Sequence, residues 1–337
     1  MPSGPTGRPP TIYDVAARAK LSIATVSRVL QGTGPVSEKA RTRVDQAARE
    51  LNYVPLRAAR SLAVQRHEAH GLVLPDLAGP FYGDLLMGYE RWAGEHGQSV
   101  IITVTHGNPD PRRTVRDLAG RVDGIVVHGN ALDLPTIQSL RKADVPIVLI
   151  ARPPVPGCDS VRSESAASAE RLTTRLLDHG RTGLLFVGDP ATSYDVSERY
   201  AGFAKAHETR GLRVPKPEQV PLTEEAGAAV AERVLKATKR PDGLVCANDE
   251  LALAAVDTLT ANDVDVPGQI VVTGWDDVMA ARYVSPGLTT VRQPMTELGR
   301  LAAQRLHERV TGERTRARND VLATQLVLRD SCGTGPA

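Results

Sequence analysis

Residues 11–30, TIYDVAARAKLSIATVSRVL, contain two short helical patterns separated by a break. Thr11 is a candidate N-cap for the first helix, and Asp14 three residues later complements the dipole of its first turn. The dipeptide at 20–21 forms the break, after which Ser22 can cap a second helix. The stretch therefore predicts two short helices joined by a turn of about three residues.

A third helix is predicted from about Ser37 to Leu51, with Ser37 as its cap. All three patterns repeat apolar residues at helical spacing, namely Val15, Ala16 and Ala19, then Val26, Val29 and Leu30, then Val44, Ala47, Ala48 and Leu51. Two short helices with a supporting third form a helix-turn-helix, which binds DNA. A small three-helix packing unit without a ligand is the alternative.

The second helix of such a unit enters the major groove by its N-terminal end. This places Ile23, Ala24 and Arg28 near base edges, where Arg28 can contact guanine and the two apolar residues can contact thymine methyl groups. Phosphate contacts, which position the protein without reading sequence, are predicted for Thr11, Tyr13, Ser22, Thr25 and Ser27.

The charge distribution agrees with a head that binds a polyanion. Residues 1–66 carry 11 Lys and Arg against 4 Asp and Glu, a net charge of +7. Because the whole chain carries +2, the remainder carries −5. A basic head on an acidic body predicts nucleic-acid binding by the head. A merely solvated charged face is the alternative.

Length and composition predict a multidomain globular protein. The chain has 337 residues, of which 41% are hydrophobic and 24% charged. No apolar run reaches the roughly 18 residues of a membrane span. Residues 1–10 are polar and form a flexible arm rather than a secretory signal, so a cytoplasmic location is expected. Cys158, Cys246 and Cys332 lack metal-ligand spacing, and neither a metal nor a cofactor is expected.

From residue 71 onward, short apolar runs alternate with helical patterns. The predicted strands are 71–75, 100–104, 124–127, 147–150, 183–187, 244–246 and 270–273, and a last strand lies at 326–328. The helical candidates include 82–96, 115–121, 165–179, 196–211, 225–238 and 250–262. Such alternation predicts parallel sheets covered on both faces, and the number of units favours two lobes. The similarity of RVDGIVVHGN at 121–130 to RPDGLVCAND at 240–249 supports two related lobes.

Three stretches of the head resemble the LacI/GalR family of transcription regulators. TIYDVA at 11–16, SIATVSRVL at 22–30 and LNYVP at 51–55 match that family in order and spacing. Lys20 and Gln31 depart from the usual small residue and asparagine, but neither is a base reader. The resemblance covers about 11–329 and implies an all-α head on a doubly wound α/β body of the periplasmic-binding-protein type, with a hinged cleft.

The resemblance also gives a role to residues 56–63, LRAARSLA, which are too few to form a stable helix alone. It implies a hinge helix that folds in the minor groove beside the hinge of a second subunit. Leu56, Ala59 and Leu62 are the expected contacts, with Leu62 as the wedge that kinks the DNA. An ordinary linker is the alternative.

Ligands of parallel α/β sheets bind beyond the carboxyl ends of the strands. The candidate effector ligands at or near these ends are Asp76, Phe81, His128, Arg152, Asp195, Arg199, Asn248, Trp275, Asp276 and Gln293. Spacing and family motif agree on Arg199, Asn248 and Asp276. Carboxylates, an amide and a guanidinium suit a polyhydroxylated or ionic small molecule. The alternatives are helix caps for Asp76, Asp189 and Asp276, core filling for Trp275 and a surface histidine for His128.

Two departures from the family bear on the effector. Sugar-responsive relatives usually carry Asp where this chain has Ala151, and Asp-Asn where it has Ser163-Glu164. Both are positions in or near the pocket, so the expectation of a common monosaccharide is weakened. Arg152, beside Ala151, favours an anionic or unusually substituted metabolite instead.

The sequence therefore predicts an effector-modulated transcription regulator, with a repressor role, that binds a near-palindromic DNA operator as a homodimer. The predicted divisions are an arm (1–10), the helix-turn-helix (11–55), the hinge (56–66), the body (67–330) and a tail (331–337). Lobe 1 comprises about 67–162 and 294–320, and lobe 2 about 163–293 and 321–330. A dimer is expected because no long heptad helix follows the last strand. The rivals are a solute-binding protein, which needs an export signal, and an enzyme, for which no catalytic motif is present.

Overall fold

Three helices form the first of two units, which meet in the sequence at His67 and Glu68. The computed structural model describes residues 8–31, 34–54 and 66–333. The helices are α1 (Ile12–Ala19), α2 (Ile23–Gln31) and α3 (Glu38–Glu50). The caps lie where the sequence predicts them. The Thr11 amide donates to Asp14 Oδ2 at 2.8 Å, and Ser37 Oγ accepts the Ala40 amide at 3.3 Å. Lys20, in a left-handed conformation with φ 53°, ends α1 and makes the predicted turn.

The core of this unit confirms the predicted apolar stripes except at Ala48, which is half-buried and lies outside the core cluster. Its buried members are Val15, Ala16, Ala19, Val26, Val44 and Ala47, and Val29, Leu30 and Leu51 pack against them while remaining partly exposed. All three helices contribute, so the helix-turn-helix is held by one small core. The polar face of α2 is left exposed.

The second unit is built from parallel sheets and the helices that cover them. Within the described residues the strands are β1 (Ala69–Leu74), β2 (Ser99–Val104), β3 (Gly124–His128), β4 (Ile147–Ile150), β5 (Asp159–Ser163), β6 (Leu184–Val187), β7 (Gly243–Cys246), β8 (Val271–Thr273), β9 (Thr290–Arg292), β10 (Asn319–Leu322) and β11 (Gln325–Val327). The helices are α4 (Phe81–Glu95), α5 (Pro111–Ala119), α6 (Leu134–Lys142), α7 (Ala166–Asp178), α8 (Tyr194–Thr209), α9 (Glu224–Lys236), α10 (Asp249–Thr260) and α11 (Met295–Thr311). Short 3-10 turns span Met279–Arg282 and Asp330–Cys332.

The strands form two main sheets. The first has the order β10-β5-β4-β3-β1-β2 and the second β6-β7-β8, and all neighbours in both are parallel. Strands β1, β3, β4, β7 and β8 are buried along their whole length. Helices on both faces account for their continuous apolar runs. The two parallel sheets of this α/β architecture are as predicted.

The chain crosses between the two sheets in three segments, after β5, after β9 and after β10. The first and third segments are tied to each other, because the Glu164 amide donates to Leu322 O at 2.7 Å and Thr324 Oγ1 donates to Glu164 O at 3.1 Å. Beyond the third crossing, β11 pairs with β9 in an antiparallel ribbon. These segments connect the two halves of the body.

Strands β5, β9 and β10 were not predicted, because at least half of the residues in each are polar. Asp159 in β5 is fully buried. Its Oδ1 accepts hydrogen bonds from Arg314 Nη1 at 2.6 Å and from the Arg318 amide at 2.8 Å, which compensate for the loss of solvent. Arg305 likewise pairs with Asp320 of β10 at 2.7 Å. Buried charges are tolerated when they are paired in this way. Helices α6 and α11 were also absent from the predicted set.

Helices α4 and α11 cross at very short distance. A Cβ atom on Gly88 would lie 1.9 Å from Thr296 O, and one on Gly299 would lie 2.0 Å from Leu85 O. Glycine at both positions is therefore required for the two backbones to touch. The crossing fixes α4, whose first residues reach the candidate effector cleft.

Candidate DNA interface and candidate effector cleft

The exposed end of α2 carries the predicted base readers. Ile23 is 44% exposed and Tyr13 of α1 is 66% exposed, which is unusual for large apolar or aromatic side chains. Ala24 and Arg28 are also exposed. The structure thus leaves these side chains accessible, as contact with base edges requires. Their contacts with DNA stay a prediction.

The hydroxyl groups predicted to bind phosphate differ in whether they have a proton free to donate. Thr11 Oγ1 donates its proton to Asp14 Oδ2 at 2.7 Å, so in this conformation it has none for a phosphate. The hydrogen bonds from Thr11 lower the pKa of Asp14, which keeps the Asp14 carboxylate ionised. Ser22 Oγ and Thr25 Oγ1 lie 2.9 Å apart, and because only one proton is shared, one hydroxyl of the pair stays a donor. Ser27 is half-buried.

The hinge contacts predicted at Leu56, Ala59 and Leu62 lie outside the described residues.

A buried arginine forms the centre of the candidate cleft. Arg199, in α8, is only 5% exposed, and its Cζ lies 4.7 Å from the ring centroid of Trp275. Arg199 Nη1 donates to Ala247 O at 2.5 Å, at the end of β7. Its Nε has no hydrogen-bond partner among the described residues. The predicted pair of Arg199 and Trp275 is thus brought together at the carboxyl ends of the second sheet.

Two carboxylates flank this arginine. Burial raises the pKa of Asp276 to about 6, and the charge of Arg199 opposes the shift. Gln293 Nε2 donates to Asp276 Oδ1 at 2.6 Å, which joins Gln293, another predicted residue, to the group. Burial also raises the pKa of Asp195, again opposed by Arg199, and Asp195 Oδ1 has no partner in the described part of the chain.

The first sheet and the helix after β1 contribute a cluster of aromatic side chains. The ring centroids of Phe81 and His128 lie 6.0 Å apart, and those of Tyr82 and His128 lie 5.5 Å apart. Burial lowers the pKa of His128 to about 4, so the ring is neutral near pH 7. Burial, followed by the charges of Asp76 and Glu250, raises the pKa of Tyr82. Asp76 therefore belongs to this group, although its Oδ1 also accepts the Ala78 amide at 3.0 Å.

Two contacts show that these groups of the first and second sheets approach each other. Asn130 Nδ2 donates to Thr192 O at 3.1 Å. A Cβ atom on Gly79 would lie 3.5 Å from Glu250 Oε1. The loop after β1 therefore lies against the start of α10, across the cleft.

Two predicted ligands, Arg152 and Asn248, also make structural hydrogen bonds. Arg152 Nη1 donates to Gly129 O at 3.1 Å and to Leu132 O at 2.9 Å, which fixes the loop after β3. Asn248 caps α10, since its Oδ1 accepts the Leu251 amide at 3.1 Å. Both Asn248 amide protons are also used, in bonds to Leu222 O and Glu250 Oε2. Asn248 therefore has no amide proton left for a ligand, whereas Arg152 Nε is buried without a hydrogen-bond partner among the described residues.

Glu164, expected in or near the pocket, caps a helix. Its Oε1 accepts the Ala167 amide at 2.5 Å, and its Oε2 accepts the Ser168 amide at 3.1 Å and Ser168 Oγ at 2.9 Å. The departure from the family pattern at this position therefore affects the start of α7 and the first crossing segment, rather than the ligand set.

Sequence reasoning missed Tyr82 and Glu250. Both follow residues that were singled out, Phe81 and the Asn248 motif, by one or two positions. The available signal was the first turn of a helix that begins at a strand end. Arg162 was also missed, and its Cζ lies 5.8 Å from the ring centroid of Tyr194.

Two family models match parts of this chain. Residues 11–55 match the family described as Bacterial regulatory proteins, lacI family, and residues 173–332 match the Periplasmic binding protein-like domain. The HTH-type transcriptional regulator CelR of Thermobifida fusca is 32% identical over 335 residues, covering 96% of this chain and 98% of that protein. The Ribose operon repressor of Escherichia coli (strain K12) is 31% identical over 309 residues, covering 89% of this chain and 93% of the relative.

Solved structures give the same result. A Lac repressor bound to ONPG in the repressed state has a TM-score of 0.86 at 26% identity, covering 96% of this chain and 100% of that one. A CelR–cellobiose complex has a TM-score of 0.74 at 30% identity, covering 96% and 99%.

Fold and relatives together define a helix-turn-helix DNA-binding protein with a periplasmic-binding-protein-like body. The chain belongs to the LacI family, whose members are transcriptional regulators and not enzymes. Within the described residues, no helix is both long and apolar enough to span a membrane, and no cluster of three or more His, Cys, Asp or Glu side chains is suited to a metal ion.

Proposed function

We propose that the chain is a homodimeric repressor whose affinity for a near-palindromic operator changes when a small-molecule effector binds between the two sheets of the body. The observation that carries this proposal is the buried Arg199, which stacks on Trp275 at 4.7 Å and interacts with both Asp195 and Asp276. Such convergence of polar groups at the carboxyl ends of parallel strands is typical of a ligand site.

The relatives support each part of the proposal. One Lac repressor structure is a dimer bound to operator and to the anti-inducer ONPF, with a TM-score of 0.85 to this chain. The CelR structure contains cellobiose, and a LacI family regulator from Enterococcus faecium contains ribose. Two helix-turn-helix heads related by a twofold axis read two half-sites, which explains a near-palindromic operator.

In the head, Arg28 is the proposed guanine reader, and Ile23 and Ala24 the contacts to thymine methyl groups. The segment at 56–66 is the proposed hinge between this head and the body. Leu62 is its proposed minor-groove wedge.

The crossing segments provide a route from the cleft to both halves of the body. Gln293, which binds Asp276 at 2.6 Å, lies in the second crossing segment, immediately before α11. A ligand that changes this contact can change the angle between the two halves of the body, and so the spacing of the two hinges in a dimer. Coupling of this kind is typically about 1–3 kcal/mol.

The test begins with selection of an operator from random double-stranded DNA and with a thermal-shift screen of small metabolites. The operator Kd is then measured with and without each stabilising ligand at saturation. The proposal predicts a change of about 5- to 150-fold for a true effector. The proposal would be contradicted if every ligand that stabilises the body left the operator Kd unchanged.

Matched variants separate the two sites. Arg199→Ala is expected to bind operator as the wild type does in the absence of ligand, and to lose the ligand response. Lys205→Ala, at an exposed position on the same helix, is expected to keep both. Sedimentation of the protein with operator tests the dimer, and a lone monomer on DNA would contradict it.

A further inference from the structure

Three buried nitrogens around the candidate cleft can only donate hydrogen bonds. Arg199 Nε, Trp275 Nε1 and Arg162 Nε have no hydrogen-bond partner among the described residues. Arg199 and Trp275 are 5% and 2% exposed, and Arg162 is half-buried. Guanidinium and indole N–H groups cannot accept a hydrogen bond, so each of them requires an acceptor. Because buried polar atoms are normally paired, these three donors indicate that the cleft is built to bind an acceptor.

Measured distances place the three donors around the first turns of α8. The Arg199 Cζ lies 4.7 Å from the ring centroid of Trp275, so these two donors are neighbours. Arg162 belongs to β5 of the first sheet, and its Cζ lies 5.8 Å from the ring centroid of Tyr194, the first residue of α8. Arg199 follows Tyr194 on the same helix, about 7.5 Å further along its axis. Donors from both sheets therefore lie against one short stretch of α8.

Neither Arg162 nor Arg199 is neutralised by an ion pair with a described residue. Arg199 Nη1 donates to Ala247 O at 2.5 Å, which is an uncharged acceptor. The contrast is with Arg305, equally buried, which pairs with Asp320 at 2.7 Å. A charge removed from water is costly unless it is paired. Two guanidinium groups without a counter-ion therefore favour an anion between them.

A third guanidinium group lies at the neighbouring strand end of the first sheet. Strands β4 and β5 are parallel, and Ile150 is the register partner of Val161. Arg152 and Arg162 follow these partners by two positions and one position, so they are close in register. The Arg152 Nε is also buried without a partner among the described residues, while its Nη1 donates to two backbone carbonyls. The carboxyl ends of β4 and β5 thus carry two arginines with unused N–H donors.

One carboxylate indicates what else the ligand carries. Asp195 precedes Arg199 by one turn of α8, so the two side chains share a face of that helix. Burial raises the pKa of Asp195, and the charges of Arg199 and Arg162 oppose the shift, in agreement with this placement. Asp195 Oδ1 is buried without a partner among the described residues, so it can accept a hydrogen bond from a hydroxyl group.

On the basis of the proposed effector function, we infer that the effector is a polyhydroxylated compound with an anionic oxygen group, a carboxylate or a phosphate, which accepts hydrogen bonds from Arg162 and Arg199 while a hydroxyl donates to Asp195. The planar guanidinium fork matches the paired oxygens of either anionic group. The hydroxyl oxygens of a neutral sugar can also accept these bonds, but only an anion neutralises the two guanidinium charges as well. One such charge contributes about fivefold in affinity, or about 1 kcal/mol for unit charges about 4 Å apart in water.

The test uses matched sugars and sugar acids as probes. Calorimetry with the full chain compares glucose with glucuronate, gluconate and glucose 6-phosphate, and galactose with the three corresponding acids. The methyl ester of glucuronate and glucosamine are the uncharged and cationic controls. At least one acid is expected to bind about fivefold or more tightly than its neutral parent, and the carboxylate and phosphate arms identify the anionic group. Equal binding within both sets, tighter binding of a control than of every acid, or no binding of any acid would overturn the inference.

Variants assign the preference for the acid to Arg162. Arg162→Gln is expected to reduce this preference about fivefold, while the affinity for the neutral parent changes by less than about twofold. Arg162→Lys should retain more of the preference, because it keeps the charge but loses the fork. Lys205→Gln, which removes an exposed charge from α8, should leave it unchanged. An undiminished preference in Arg162→Gln, or an equal reduction in Lys205→Gln, would overturn the assignment.

The same measurements separate this inference from the proposed function. If a neutral sugar alters the operator Kd while no acid binds, the proposed function stands and this inference fails. If an acid binds through Arg162 and leaves the operator Kd unchanged, the ligand class stands and the proposed effector function fails.

Discussion

The guanidinium carbon of Arg199 lies 4.7 Å from the ring centroid of Trp275, and both side chains are almost fully buried. Trp275 also packs in a hydrophobic cluster, together with Ala169 and Leu172 of α7 and Val291 of β9. One aromatic ring thus connects the centre of the cleft to the helix after the first crossing segment and to the strand before the second. A ligand that displaces Arg199 would act on both segments.

The contact itself should be measurable. Arg199→Met and Trp275→Leu, alone and combined, are expected to show a coupling free energy of about 1–2 kcal/mol in urea unfolding, because a desolvated cation faces an aromatic ring. The same cycle with Trp275→Phe in place of Trp275→Leu should give a smaller coupling free energy, because phenylalanine keeps an aromatic ring beside Arg199. Additive effects of the two changes would mean that the ring is only core filling.

Asp276 should make stability depend on pH. Its pKa is about 6 in the folded protein, against an ordinary value of 3.8, because burial disfavours the charged form. The folded state therefore takes up a proton as the pH falls through about 6, and the cost of the buried charge disappears below the unfolded value. Wild type should gain about 2 kcal/mol relative to Asp276→Asn between about pH 7 and about pH 4.

This pH-dependent difference in stability arises from Asp276 together with Asp249. Burial, and then the charge of Asp276, raises the pKa of Asp249 to about 8, so the two carboxyl groups titrate as a pair. Urea unfolding of both proteins across this pH range is the measurement. Parallel stability curves for the two proteins would show that Asp276 is solvated.

The crossing of α4 and α11 should not tolerate a side chain at Gly88. Gly88→Ala places a methyl group 1.9 Å from Thr296 O, so the helices must separate. We expect a loss of about 3 kcal/mol or more in the free energy of unfolding. Gly94→Ala is the control, because that Cβ would meet nothing closer than 3.7 Å, and it should be neutral or stabilising by up to about 1 kcal/mol. Similar values for the two variants would contradict the close crossing.

The tie between the first and third crossing segments should also contribute to stability. The Ser168 and Thr324 hydroxyl oxygens lie 2.6 Å apart, with Glu164 Oε2 2.9 Å from Ser168 Oγ and Glu164 O 3.1 Å from Thr324 Oγ1, so two hydroxyl protons are shared among three contacts. Ser168→Ala is expected to cost about 1–3 kcal/mol, since it leaves polar groups unpaired at a buried position. The exposed Ser139→Ala should stay within about 0.5 kcal/mol of wild type. Equal values in thermal unfolding would show that the tie contributes nothing.

The sequence predicted the architecture because local rules agree with it. Caps such as Thr11 and Ser37, the apolar stripe around Val26 and the buried strands follow periodicity and turn chemistry. It failed at β5, where Asp159 is buried only because Arg314 and Arg318 come from far along the chain. Such long-range pairing leaves no local pattern.

The candidate cleft was predicted less completely. Arg199, Trp275, Asp276 and Gln293 meet as expected, since strand ends converge at one edge of a parallel sheet. Whether a polar side chain at a strand end binds a ligand or caps the next helix depends on its rotamer. Asn248 and Glu164 are caps for that reason, although their sequence positions suggested a pocket.

The most direct test of DNA reading by α2 is selection from random double-stranded DNA by wild type and by Arg28→Ala. Wild type is expected to recover a near-palindromic site. Arg28→Ala should lose its preference at one symmetry-related base pair and bind the wild-type site about 1–3 kcal/mol more weakly. Recovery of the same site with the same preference at every base pair by both proteins would contradict the assignment of Arg28 as a base reader.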